Sequence, residues 1–433
     1  MFICISPSLF CVPAKTGIKK MIGTTVTPTD TARLNNLIMK GFVAIKEKSK
    51  IKSDVSKAEA YIDSAIILSE RLKIDFPPLL HLLKAEYYFA GSDFNTAEQE
   101  AIKCFEKAGN SREYLSQAKA LIFLGNYYHR TGSFSESVDN YAKCISLAKE
   151  KKLKGIIPVC YNGQAKVMRT VGDLKGESQY YELQAETALS ENALRYAMDA
   201  WCSNGSLFLE KMRDAGKADS LLKKCLNMSL VEKDSGFTAF SSAQLGWNFY
   251  IEKMFDSSMF YYNKSLDYSL PSKQHASSAN SLGNLGTINR DLGYYDEAGR
   301  YYKKAIEQAK MVNDWYNLQW IYMDMSNMYL GRGDTSNAYL NYVLYKKFSD
   351  EWIKTETARG ITDARIRYEV DTHNKEVALL SLRLKNNRTL NIGFAGLILL
   401  TVTIGFLLFR GYRLKDRQRI SEMNRKISEL TQA

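Results

Sequence analysis

The four histidines, His81, His129, His275 and His373, are scattered along the chain. There is no H-E-x-x-H pair to hold a zinc ion, no G-x-x-x-x-G-K-[ST] loop to cradle phosphates and no G-x-S-x-G elbow to present a nucleophile. The seven cysteines include no C-x-x-C pair, and the five within the repeats read as buried thiols rather than metal ligands. The sequence therefore assigns no catalytic, cofactor-binding or metal residue, and the chain is not read as an enzyme. What remains is cationic. A net charge of +12 suits nucleic acid, but seven basic residues lie beyond Phe409. The others are spread as on a solvated helical surface, which disfavours a nucleic-acid partner.

Side chains that only recognise need a frame, and the sequence repeats one. The stretch Leu285-Gly286-x2-Asn289-x3-Gly293-x-Tyr295-x2-Ala298-x3-Tyr302-x2-Ala305 reads as two short helices joined by a glycine turn. Gly286 lets a neighbouring helix approach, Gly293 supplies the turn, and Ala298, Tyr302 and Ala305 share a helix face. Copies begin at Ala85, Gly125, Ala165, Ser206 and Gly246, and a later one at Ser326. Tyr128, Gly132, Ser137 and Tyr141 accompany Gly125; Phe249, Phe255, Ser258 and Tyr262 accompany Gly246; Ala218, Leu222 and Cys225 follow Ser206. The steps are forty residues, except forty-one from Ala165 to Ser206. Units that cannot bury their apolar faces alone must stack, so this period defines the fold.

The pattern resembles the tetratricopeptide repeat (TPR). The family's small residue, aromatic, turn glycine, alanine and second aromatic fall at its usual spacings in the units at Gly125 and Gly286. The resemblance covers residues 35 to 350, in units longer than the usual thirty-four. It implies an all-α, TPR-like α-solenoid of about seven to eight helix pairs. A weaker first pair, around Leu34 to Leu72, would act as a cap. The unit at Ser206 lacks the turn glycine. Cys104, Cys144 and Cys225 share one repeat position, while Cys160 and Cys202 lie in first helices. Equivalent positions of stacked repeats are a helix-packing distance apart, too far for a disulfide.

TPR arrays hold an extended peptide or a partner's helix on the concave face, lined by first helices. The family's groove positions fall here on Asn126, His129, Arg130, Asn162, Lys166, Arg169, Trp247, Tyr250, Arg290, Trp320 and Asn327. Asn126, Lys166 and Arg169 combine cationic and amide donors suited to a carboxylate. Trp247, Tyr250 and Trp320 offer apolar anchors.

The ends add a membrane. Residues 1–33 read as a signal segment and linker: 1–14 are apolar and end in small residues but lack a basic start, and Met21 is an alternative initiator. The solenoid takes 34–349. Residues 350–389 read as a juxtamembrane helix in which Ile366, Val370, His373, Val377, Leu380 and Leu384 make a heptad stripe, so that two copies can pair. No charge occurs from Thr389 to Phe409, and 390–409 reads as a transmembrane helix. Residues 410–433 carry seven basic and three acidic side chains and begin a coiled coil at Ile420, Met423, Ile427 and Leu430. Flanking charges vote weakly, four against five, and a short basic tail leans cytoplasmic. That orientation puts the repeats in the periplasm and requires the signal segment.

The order of segments resembles the Bacteroidetes-type TPR membrane sensors linked to a histidine kinase or a helix-turn-helix domain. No phospho-acceptor or helix-turn-helix segment follows here, so neither activity carries over. The expectation is a single-pass inner-membrane protein that binds a peptide or protein and relays the event. The alternative is a cytoplasmic TPR adaptor tethered by its C-terminal span.

Overall fold

A computed structural model describes residues 27–48 and 56–431. The segment 1–14 and the alternative start at Met21 lie outside them. The chain divides into two units, one ending at Arg367 and one beginning at Tyr368.

The first unit is a row of antiparallel helix pairs, and no strand occurs among the described residues. The pairs are α1 (Pro28–Lys48) with α2 (Ser56–Arg71), α3 (Pro78–Ala90) with α4 (Phe94–Asn110), α5 (Tyr114–Thr131) with α6 (Phe134–Lys151), and α7 (Ile157–Val171) with α8 (Leu174–Ser190). Then come α9 (Leu194–Leu207) with α10 (Ala215–Val231), α11 (Ser235–Ile251) with α12 (Phe255–Ser269), α13 (His275–Asp291) with α14 (Tyr295–Met311), and α15 (Trp315–Gly331) with the start of α16 (Thr335–Thr431). Aspartates open several helices: Asp93, Asp173, Asp214, Asp234 and Asp314 each accept a first-turn N–H. Such a cap contributes about 1 kcal/mol.

Within a pair, the aromatic of the second helix fills the space left by the small residue of the first. A β-carbon added to Gly286 would sit 2.6 Å from the Tyr302 ring, and one on Gly246 would sit 3.0 Å from Tyr262. Both tyrosines are fully buried. The serine at offset twelve ties the helices together: Ser137 Oγ donates to Gly125 O and Ser258 Oγ to Gly246 O, each at 2.7 Å. The turn after the first helix needs a left-handed residue. Gly132, Gly172, Gly293 and Gly333 supply it, and Lys253 does so without glycine, at about 1 kcal/mol of strain.

The fifth pair, the unit at Ser206, corrects the sequence reading twice. Its small packing residue is Gly205, against Leu222, and not Ser206. The extra residue behind the step of forty-one is taken up by a π-helical turn, Phe208–Met212, which widens the helix by one residue. Arg213, at φ 55°, makes the turn that has no glycine. The second correction concerns the thiols. Cys202 of α9 and Cys225 of α10 form a disulfide with Cα atoms 5.9 Å apart. The bridge joins unlike positions of one repeat, where facing helices bring β-carbons within reach. Cys104, Cys144 and Cys160 are free and buried.

Successive first helices touch, α3 on α5, α5 on α7, α7 on α9, and so on to α13 on α15. The second helices α4 to α14 share no contact as extensive, so the first helices line the tighter, inner side. Phe348 of α16 stacks on Tyr322 and Trp315 at 5.3 and 5.8 Å and seals the last pair. Beyond it α16 runs on as one helix.

In the second unit, α16 carries an 18-residue stretch of mean hydropathy 2.5 within Leu390–Lys426, none of it buried. By length and composition this can cross a bilayer. Ile420 and Met423 are exposed. The side chains of His373, Val377, Leu380, Leu384, Ile427 and Leu430 lie outside those described.

Candidate functional site

The inner face carries polar side chains at the ends of the first helices, and hydrogen bonds stitch them from repeat to repeat. His129 of α5 lies 2.8 Å from Thr170 Oγ1 of α7. That hydroxyl spends its proton on Lys166 O, so His129 Nε2 is the donor. The same step of forty-one recurs further on, where the Tyr250 hydroxyl of α11 donates to Asp291 of α13 at 2.7 Å. Arg290 of α13 then donates to Asp291 at 2.7 Å and to Asp324 of α15, whose other oxygen accepts from Thr287 at 2.7 Å. Burial works against the Arg290 charge, but the two aspartates outweigh it and raise its pKa.

The basic end is built on α5 and α7. Burial lowers the His129 pKa, and Lys166, Arg367 and Arg130 lower it further, which disfavours the imidazolium form. Arg130 donates to Asp363 of α16 at 3.3 Å, with its guanidinium 5.0 Å from the Phe89 ring centroid. Asn162 donates to Asp199 at 3.0 Å and to Gln184 at 3.1 Å. Lys166 feels the Asp199 charge, but no carboxylate among the described residues makes an ion pair with it within 4.0 Å. Burial pushes the Lys166 pKa down and the Asp199 pKa up, as expected for charges taken from water without a close pair.

Two residues expected to grip a carboxylate beside Lys166 are already engaged. Arg169 donates to Glu177 at 2.6 Å and to the Tyr181 hydroxyl at 2.5 Å, and so neutralises a carboxylate that is 1 % exposed. Asn126 donates to Ile122 O and accepts from Tyr141. Lys166 is thus the cation of this stretch whose charge is not spent in an ion pair.

The apolar end is exposed. Trp247 stacks on Tyr250 with centroids 5.2 Å apart. Trp320 is 52 % exposed, edge-on to Tyr316, and Tyr316 meets Trp352 of α16 at 5.9 Å. Asn327 is exposed nearby. Sequence reasoning missed the acids that organise this face: Asp199, Asp291, Asp324 and Asp363. The first three sit on first helices, and the helical pattern could have placed them. Asp363 carried no local signal. Among the described residues no group of three or more His, Cys, Asp or Glu side chains could hold a metal ion.

Comparison with known proteins agrees on the frame. The tetratricopeptide repeat family matches residues 118–151 and 279–310, the two units most regular in sequence. No curated protein matches the chain. The apo form of RapI superposes with a TM-score of 0.53 at 12 % identity, over 75 % of this chain and 88 % of that one. A signal-transduction ATPase (STAND) protein with a tetratricopeptide repeat sensor, from Pyrococcus horikoshii, gives 0.55 at 12 % identity. The match covers 76 % of this chain but only 52 % of that protein, about half its length. At such identities the likeness is one of fold. The helix pairs at residues 118–151 and 279–310 are tetratricopeptide repeats, and the row they belong to is a TPR-like α-solenoid.

Proposed function

We propose that this is a membrane-anchored TPR protein that binds a peptide or protein on its inner face and passes the event across the inner membrane. The observation that carries the reading is α16: one helix, Thr335–Thr431, both completes the last repeat and contains the apolar stretch. A ligand that favours one packing of the first helices therefore acts on the element that enters the bilayer, provided it binds two states unequally. The inner face has the chemistry for a peptide, with aromatic anchors at Trp247 and Trp320 and the unspent cation at Lys166. The repeat domain of the STAND protein is itself described as a sensor, which fits this reading.

The Cys202–Cys225 bridge supports placing the repeats in the periplasm, since disulfides persist in oxidising compartments. The basic tail would then be cytoplasmic. The test is labelling of intact cells with a membrane-impermeant maleimide after Lys304→Cys, an exposed position on α14. Labelling above that of the unchanged chain is expected. Protection until lysis would overturn the relay reading and leave a cytoplasmic adaptor tethered by its span.

A further inference from the structure

Residues 352–367 of α16 lie against two distant repeats of the first unit. Trp352 meets Tyr316 of α15. Three helical turns later, roughly 16 Å along the axis, Asp363 accepts a hydrogen bond from Arg130 of α5. A β-carbon on Gly132 would lie 3.5 Å from Arg367 Cδ, so the stem of Arg367 rests on the turn that closes α5. Asp363 and Arg367 are four residues apart and share a helix face, with Ile366 beside them.

Ile366 is 5 % exposed, although Thr362, Ala364 and Arg365 around it are open. A helix cannot cover its own isoleucine to that degree, and its neighbours Asp363 and Arg367 both rest on the end of α5, which assigns the cover to the solenoid. Yet Ile366 also heads the heptad stripe by which two copies of α16 would pair. One side chain cannot serve both surfaces at once. The ion pair holding the segment down is half exposed at each end, 47 % for Arg130 and 43 % for Asp363. Contacts of that kind are weak singly, which suits a segment that must be displaced.

We propose that residues 352–367 are the resident occupant of the inner face, competing with ligand for Arg130 and the surface beside His129, and that their release frees Ile366 for pairing with a second copy. The inference rests on the reading of the inner face as the ligand site. It also states what a ligand must offer: a carboxylate for Arg130, with an apolar side chain within one helical turn of it. Occupant and ligand then share one recognition chemistry, and ligand binding opens the face by mass action.

The test uses the full chain in detergent and, as probe, a fluorescent synthetic peptide of residues 350–367. The chain carrying Ile366→Glu should take up the peptide about tenfold more tightly than the unchanged chain, whose face is filled. A charge exchange guards against misfolding. The chain carrying Arg130→Asp should prefer a peptide carrying Asp363→Arg over the native peptide, by about tenfold. Equal uptake by the unchanged and opened chains, including none by either, or indifference to the exchanged charges, overturns the proposal. Neither outcome alters the labelling of intact cells, on which the relay reading is judged separately.

Discussion

The ring of Tyr141 on α6 fills the space that a β-carbon on Gly163 of α7 would occupy. Tyr141 belongs to one repeat and Gly163 to the next, so this contact sets the spacing between repeats. On its other side the ring rests on Gly125, where an added β-carbon would come within 2.7 Å. The tyrosine is 1 % exposed and has nowhere to move.

Gly163→Ala should therefore destabilise the chain by about 1–3 kcal/mol through overpacking. Inside an open helix the same change gains about 1 kcal/mol. Gly299→Ala on α14 is the control, since its β-carbon would meet only Met328, at 3.9 Å. It should leave stability unchanged or raise it. Thermal unfolding followed by circular dichroism separates the two, and equal melting temperatures would refute the steric account.

The disulfide makes a redox prediction. Closing the loop between Cys202 and Cys225 should contribute about 3 kcal/mol by restricting the unfolded chain. Cys202→Ser should lower the unfolding midpoint in non-reducing buffer. Dithiothreitol should bring the unchanged chain down to the same point and leave the variant where it is. A midpoint indifferent to reductant would mean that the bridge is not formed.

Acid should loosen the second helix pair. Burial alone would raise the Glu100 carboxyl, but hydrogen bonds from His81, Lys103 and Lys84 outweigh it and hold it at about 2, against the usual 4.5. Its folded pKa lies below its unfolded one, so the unfolded chain takes up the proton first. The stability it contributes, about 3 kcal/mol by linkage, is complete above pH 4.5 and is lost as the pH falls towards 2. Glu100→Gln should remove this dependence from denaturant titrations across that window. An unchanged slope would show that other carboxylates carry it.

Lys166 and Arg169 stand one helical turn apart and should respond in opposite ways. Arg169→Met leaves Glu177 buried without its partner and should cost about 3 kcal/mol or more. Lys166→Met removes a half-buried charge that has no close pair, and should be neutral or stabilising by about 1 kcal/mol. Urea midpoints of the two variants test this. A loss at Lys166 matching that at Arg169 would mean that Lys166 holds the fold, and would end its case as a spare ligand contact.

The repeat was legible because its rules are local. A glycine at offset zero, a serine at twelve and a tyrosine at sixteen mark two helices in contact, and helix geometry fixes those offsets wherever the unit occurs. The eleven expected groove positions were placed by the family resemblance on the register of the repeat. Their partners did not, since Arg169 meets Glu177 on its own pair while Lys166 faces Asp199 on the next.

The unit at Ser206 shows where local rules run out. The step of forty-one announced one extra residue, which the sequence assigned to the stretch before Ser206. Packing of Leu222 on Gly205 puts it in the turn at Phe208–Met212. Comparing equivalent positions between repeats argued against disulfides, whereas the observed bridge joins unlike positions within one.

The sequence by itself determined the all-helical solenoid, its period and the apolar stretch near its end, because each depends on side chains at most a few turns apart. Tertiary structure alone decided which groove side chains are spent, which cysteines pair, and that Asp363 reaches Arg130 across 233 positions. The first two depend on how facing helices pack side by side, and the third on how rotation accumulates from repeat to repeat along the row; no short stretch of residues encodes either.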